Sequence, residues 1–419
     1  MSARLLVVFP TVWDARQLQA CEPAWRDRFE IRHAEPEDAR CAWNFDVLGF
    51  VEQAATGALG PFDAVFSSSD YPGATAAAAI ATRLGLPGPR PERVLAASHK
   101  YRSRLVQREA APDATPGFCL VDPERPRIEG LSWPCFLKPV KGAFSIRSGR
   151  IDSEEELAAF FARPATREFL DYYVWMFDRL VDAFTDFGVG GRAFVAEEYL
   201  RGRQATVEGW AYGDEIHVLG IVDSTFHENA PSFARFDLPS SLPAAIRERM
   251  ADIALRVVSA LGLRDTLFNL EMNWNPATDD VHVIEVNPRM AGQFADLYEK
   301  VLGTSSYEIG LALAAGVRPD VRPGPGPFSH AASFPLRVFH PCRVTSAPAA
   351  ERIAEVEARI PGARVWSECA AGDTLSDFAA EDGHSMRYAV VNVGAASRAG
   401  LARTLQEVKR ALGFELAPL

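Results

Sequence analysis

The chain has 419 residues, 48% of them hydrophobic and 24% charged, and a formal net charge of −11. That length suggests roughly three domains of about 150 residues, with apolar residues enough for several cores. The acidic balance argues against a nucleic-acid binder, which carries a basic footprint, and no stretch approaches the ~18 uninterrupted apolar residues of a membrane span.

The six cysteines, Cys21, Cys41, Cys119, Cys135, Cys342 and Cys369, are scattered with no C-x-x-C pair. Free thiols in a reducing, cytoplasmic setting are therefore expected, rather than a zinc site or a disulfide framework. The first apolar run, Leu5 to Phe9, is the size of a strand and shorter than the apolar region of a signal peptide.

The first ~95 residues alternate strand and helix signals. Leu5 to Phe9, Phe29 to Arg32 and Phe62 to Ser67 read as strands. An alanine-rich helix follows at about Thr75 to Leu84, closed by Gly85. This predicts an N-terminal α/β domain over residues 1–95 with a parallel, Rossmann-like sheet. Ligands sit beyond the carboxyl ends of such strands, which brings the Ser68 to Gly73 loop into consideration; an ordinary strand-to-helix turn explains it equally well. Gly85 to Pro91, with two glycines and three prolines, marks the first domain boundary. The run Arg322 to Pro327 reads as a stiff surface linker into a small C-terminal α+β domain, residues 319–419. Strands near Ser333 to Phe339 and Tyr388 to Val393 and a helix from Ser397 to Leu412 are expected there.

The middle region, 96–318, holds the residues with chemistry. Lys138 ends a strand stopped by Pro139, and the small residues of 141–149 between two strands can form a flap, although on their own they read as readily as a glycine-bearing hairpin with exposed lysines. Backbone N–H groups of such a flap reach phosphate oxygens, and Lys138 supplies a point charge. Ser153 with Glu156 fits a helix capping box, and the aromatic segment 168–187 reads as a core or docking helix. Glu197 and Glu198 are adjacent on a strand and must face opposite sides; one of them could accept from an adenine amino group or ribose hydroxyls. Gln204, Thr206 and Glu208 share one strand face.

The strongest constellation is a hairpin. Glu271 shares a strand face with Asn269 and Asn273, Glu285 shares one with Asn287, and Asn275 to Asp280 is the connecting loop. Two carboxylates and an amide oxygen make a hard, oxygen-rich site that suits Mg²⁺. Arg289, after Pro288, is suited to grip a carboxylate or a transferred phosphate.

These residues resemble the ATP-grasp superfamily. The specific motif is Ile284-Glu285-Val286-Asn287-Pro288-Arg289 preceded by Glu271; Phe62 to Asp70, Leu84 to Gly88, Ser98 to Arg104, Lys138, the flap and Glu197 to Leu200 extend the likeness along nearly the whole chain. The resemblance implies an ATP-grasp fold of two α+β subdomains behind an N-terminal α/β domain. It implies Lys100 and Lys138 on ATP phosphates and Ser145 of the flap and Glu208 among the nucleotide contacts. Glu197, Glu198, Tyr199 and Leu200 would lie at adenine. It also implies Mg²⁺ or Mn²⁺ on Glu271, Glu285 and Asn287, and Arg289 with Lys138 at the reacting groups.

Val207-Glu208-Gly209, Phe236 to Pro239, Pro288 to Gly292 and Arg387 to Gly394 look most like the amino-acid ligases. That branch implies small carboxylate and amine substrates, an acyl phosphate and ADP release, with homodimerisation left open. The chain departs from the branch at Gln204, at Arg147-Ser148-Gly149 and at Arg235. Biotin carboxylases carry Gln-Val-Glu-His soon after the metal motif; here the chain reads Gly292-Gln293-Phe294-Ala295-Asp296. A non-catalytic ATP-binding regulator is the third reading.

Overall fold

A computed structural model describes residues 2–35, 45–142, 146–322, 324–378 and 381–419. Among these residues the strands form four sheets.

Strands β1 (Ala3–Val8), β2 (Phe29–Ala34) and β3 (Ala64–Phe66) pair in parallel, in the order β2-β1-β3. The two-residue period of β1 serves both faces. Leu6 and Val8 pack with the helix Gly73–Leu84 and the neighbouring lobe, while Leu5 and Val7 pack against Leu267 and Tyr307 of the middle region. This sheet is therefore a filling between two lobes. The helix Gly73–Leu84 stops at Gly85, whose φ of 66° is open to glycine at no steric cost.

Strands β4 (Phe118–Val121), β5 (Cys135–Pro139), β6 (Gly149–Ile151) and β7 (Phe194–Glu198) form an antiparallel sheet in the order β4-β7-β5-β6. Ser153 caps the following helix by accepting from the Glu156 N–H at 3.3 Å, but Glu156 reaches back to the Asp152 N–H rather than to Ser153. The 168–187 segment forms a π turn, Phe169–Tyr173, and a helix, Trp175–Phe184, whose Phe177, Leu180 and Val181 are buried in the shared core.

The largest sheet contains β8 (Arg203–Tyr212), β9 (Glu215–Phe226), β10 (Phe233–Leu238), β11 (Thr266–Asn275) and β12 (Asp280–Asn287). The C-terminal third adds β13 (His330–Val338), β14 (Cys342–Ser346), β15 (Arg364–Ser367), β16 (Thr374–Leu375), β17 (Met386–Ala395) and β18 (Glu415–Pro418). Three of these join the large sheet, whose order is β12-β11-β8-β9-β10-β13-β17-β15. Residues 319–419 keep their own apolar cluster yet share a sheet with the middle region. The run expected to be a linker is also bound down: the Gly324, Gly326 and Phe328 N–H groups donate to the Leu302, Val301 and Lys300 carbonyls at the end of the helix Gly292–Leu302. A Cβ on Gly326 would sit 2.3 Å from the Lys300 oxygen, so glycine there permits the close approach.

No described helix is long and apolar enough to cross a membrane. The five described cysteines are free; Cys41 lies outside the described residues.

Candidate active site

The β11–β12 hairpin pairs Glu271 with Glu285 and Asn269 with Asn287. Asn287 Nδ2 lies 3.4 Å from Glu285 Oε1 and 3.4 Å from Asn269 Oδ1. From β8, Gln204 Nε2 donates to Glu271 Oε2 at 2.7 Å. The three oxygen donors expected from the sequence are thus neighbours on one face.

Their electrostatics follow from enclosure. Burial and the neighbouring Glu285 push Glu271 up to about 8. Burial acts on Glu285 too, but Lys100 and Lys138 outweigh it and hold that carboxyl below its ordinary range. The two facing carboxyls are thus driven apart in proton affinity, and a divalent cation between them would favour the ionised form of both. Among the described residues no group of three His, Cys, Asp or Glu side chains forms a complete cage. The donors present fit a hard cation that completes its shell with phosphate oxygens and water.

Cations surround this pair. Lys100 opens the helix Lys100–Ala110, which His99 caps by accepting from the Arg102 N–H at 3.1 Å. Lys100 Nζ lies 3.3 Å from Glu285 Oε2 and donates to the Gly142 carbonyl at 2.9 Å. Asp70, in the loop after β3, lies 3.3 Å from Lys141 Nζ and 4.0 Å from Arg289 Nε. Burial would raise Asp70, but Lys141, Arg289 and Lys100 hold it down at about 2. Arg289 also donates to the Met290 carbonyl at 3.2 Å.

A buried network links the lobes. Arg104 grips Glu197 with Nε at 2.8 Å and Nη2 at 3.0 Å, and Lys138 Nζ lies 2.9 Å from Glu197 Oε2. Both cations also donate to the Ile284 carbonyl, Arg104 at 2.8 Å and Lys138 at 2.9 Å. Burial, with Arg104 and Lys100 adding to it, pushes Lys138 down to about 8 despite Glu197. The resemblance implied Glu197 at the nucleotide; the strand period turns it inward, where it is 3% exposed and both its oxygens are paired with cations. Glu198 faces out, as adjacent strand residues must, and accepts from the Gly117 N–H at 2.9 Å. Tyr199 and Leu200 follow the strand end, with Arg150 5.2 Å over the Tyr199 ring.

Glu208 is another carboxylate that the resemblance implied among the nucleotide contacts. It is 0% exposed, beneath the helix Gly292–Leu302, and accepts from Asn269 Nδ2 at 3.2 Å and from the Ala291 N–H at 2.9 Å. Burial pushes it up to about 7, and its Oε1 has no hydrogen-bond partner among the described residues. Ser145, with Ala143 and Phe144 of the flap, lies outside the described residues.

Sequence reasoning missed Arg104, Lys141 and the part played by Asp70. Asp70 had a signal, its place after a parallel strand. Arg104 had none, since Glu197 and the Ile284 carbonyl lie 93 and 180 residues away.

The ATP-grasp domain family matches residues 131–296. Carnosine synthase 1 of Gallus gallus is 31% identical over 148 residues, covering 33% of this chain and 15% of that protein's length. The chain thus spans only a small part of this relative. L-amino acid ligase from Bacillus licheniformis superposes with a TM-score of 0.74 at 18% identity, over 99% of this chain and 98% of that one. The biotin carboxylase domain of Hydrogenobacter thermophilus 2-oxoglutarate carboxylase, solved with MgADP, ADP and bicarbonate, superposes at 0.67 with 14% identity, over 100% and 91%. At these identities the superpositions establish the fold.

Proposed function

We propose that this chain, which carries an ATP-grasp domain within an ATP-grasp fold, is an ATP-dependent carboxylate–amine ligase. Its substrates are small molecules, amino acids in the first place, and it works through an acyl phosphate. The observation that carries the reading is the apposition of Glu271, Glu285 and Asn287 inside a ring of Lys100, Lys138, Lys141 and Arg289. Such a site takes a polyphosphate together with a divalent cation.

Glu271, Glu285 and Asn287 would hold Mg²⁺ or Mn²⁺, which when bound neutralises phosphate charge. Lys100 and Lys138 bring fixed positive charge to the phosphates. Arg289 is held loosely enough, at 4.0 Å from Asp70, to turn its fork onto a carboxylate or the transferred phosphoryl group. A substrate carboxylate attacks the γ-phosphorus in line, the bond to the β-phosphate oxygen breaks, and ADP leaves. A neutral amine then attacks the acyl carbon and phosphate departs. The carboxylase reading gains little support here. Asp296, in the segment after the metal motif, is 1% exposed and ion-paired to Lys300 and Arg364.

The test is a screen of paired amino acids with ATP and Mg²⁺. ADP and phosphate are expected in equal amounts with ligated product; stoichiometric AMP and pyrophosphate would reject the acyl-phosphate route. Arg289→Lys keeps the charge but loses the bidentate fork. Turnover should fall by about two decades, or about 2.7 kcal/mol, with ATP affinity unchanged; an undiminished rate would make Arg289 an ordinary partner of Asp70.

A further inference from the structure

Strand registers lay one face of β8 against the hairpin that carries the cation ligands. Glu208 pairs with Asn269 and Asn269 with Asn287, while Thr206 pairs with Glu271 and Glu271 with Glu285. Paired side chains on antiparallel strands share a face. Gln204 lies two residues before Thr206, so it has the same face and meets Glu271 on the diagonal. Gln204 and Glu208 thus flank the ligands, and the transfer steps use neither.

Each holds one ligand in one orientation. Gln204 Nε2 donates to Glu271 Oε2 at 2.7 Å, which engages that oxygen and leaves Oε1 for a cation. On Glu285, Lys100 Nζ lies 3.3 Å from Oε2 in the same way. Glu208 acts at one remove. Its Oε2 accepts from the Ala291 N–H at 2.9 Å and from the Asn269 NH2 at 3.2 Å. The ends of an amide are told apart by such partners. Asn269 Oδ1 is then the end that accepts from Asn287, whose Nδ2 lies 3.4 Å from it and 3.4 Å from Glu285 Oε1. The Asn287 NH2 is spent on those two oxygens, and its Oδ1 is the end left for a cation. With the amide reversed, an NH2 group would stand where an oxygen is needed.

Glu208 is 0% exposed, and its Oε1 has no hydrogen-bond partner among the described residues. A carboxyl is costly to bury in that state, and the oxygen it does engage is the one that sets the amide relay. One oxygen from each ligand suits a small octahedral cation, whereas Ca²⁺ gains from carboxylates that bind through both oxygens.

We infer that Gln204 and Glu208 are positioning residues that make Glu271 and Asn287 present one oxygen each, and so set a preference for Mg²⁺ or Mn²⁺ over Ca²⁺. The inference rests on the metal ligands of the proposed reaction, and its test separates the two. Mn²⁺ binding to the full chain with saturating ADP, followed by electron paramagnetic resonance, needs no turnover. Gln204→Leu and Glu208→Met are each expected to weaken Mn²⁺ binding by about 10–100-fold, the usual effect of removing a group that orients a ligand. Ca²⁺, added as a competitor, should lose less, so that discrimination shrinks. Glu208→Gln keeps an oxygen for Ala291 and Asn269 and should restore most of the Mn²⁺ affinity. ADP affinity in the absence of metal should be unchanged in all three variants, which general damage to the site would not allow. Gln204 is only half-buried, so Gln204→Leu remains a folded test even if Glu208→Met unfolds. Wild-type Mn²⁺ affinity in Gln204→Leu and Glu208→Met, or equal losses of Mn²⁺ and Ca²⁺, would overturn the positioning role while Glu285→Gln still abolishes Mn²⁺ binding. If Glu285→Gln also binds Mn²⁺ unchanged, the metal site itself is misplaced and the positioning role falls with it.

Discussion

Replacing Arg104 by methionine is expected to cost about 3–5 kcal/mol of folding stability, the usual range for breaking one side of a buried ion pair. Arg104 is 1% exposed and donates to both oxygens of Glu197, to Gln107 and to the Ile284 carbonyl. Methionine fills similar space but returns none of those bonds. Glu197 would keep Lys138 alone, in a place where its charge cannot be hydrated. Burial would raise the Glu197 carboxyl, but Arg104 and Lys138 hold it below its ordinary value. The stability this pairing contributes is therefore present above the unfolded-state pKa and is lost as pH falls through the lower folded value. Denaturant unfolding of wild type and variant at neutral and acid pH should show a gap that narrows on acidification. A variant within 1 kcal/mol of wild type at neutral pH would show that the network adds little.

Glu285→Gln should abolish ligation, with a fall of about three decades or more, about 4 kcal/mol or more in the barrier. Glutamine keeps the shape and one oxygen donor but loses the charge that Lys100 meets at 3.3 Å. Glu271 would lose its repulsive neighbour, so the fold should be no less stable. The divalent cation would be bound by one carboxylate instead of two, leaving phosphate charge poorly compensated. Turnover titrated against Mg²⁺ decides the matter: near wild-type rates at ordinary Mg²⁺ would remove Glu285 from the site, whereas rescue at high Mg²⁺ would support ligation of the metal.

Local order was legible where chemistry and period coincide. Glu271 and Glu285 could be set across from one another because one short loop separates two alternating strands, and the register agrees. The Gly73–Leu84 helix was readable from alanine content and a terminal glycine. What could not be read was which polar side chains the tertiary structure would consume. In sequence Glu197 and Glu208 are acids on strands, and nothing near them shows that Arg104 pairs with the one and the Ala291 N–H with the other. Both outcomes are set by distant segments, and neither has a local signature. The proline–glycine run near 322–327 shows the same limit from another side. Its composition is that of a tether, but backbone donors in it find the unpaired carbonyls at a helix end.

The continuity of the large sheet has a consequence for any attempt to dissect the protein. β10 is paired on both sides, with β9 and with β13, and β13 comes from the C-terminal third. A truncation at 319 would strip β10 of one neighbour and leave an unprotected edge beside Phe233 and Phe236. Such an edge is a template for intermolecular strand pairing. The truncated chain should therefore aggregate rather than yield a working nucleotide-binding fragment, and hydrogen exchange in the intact chain should report β10, β13 and β17 opening together.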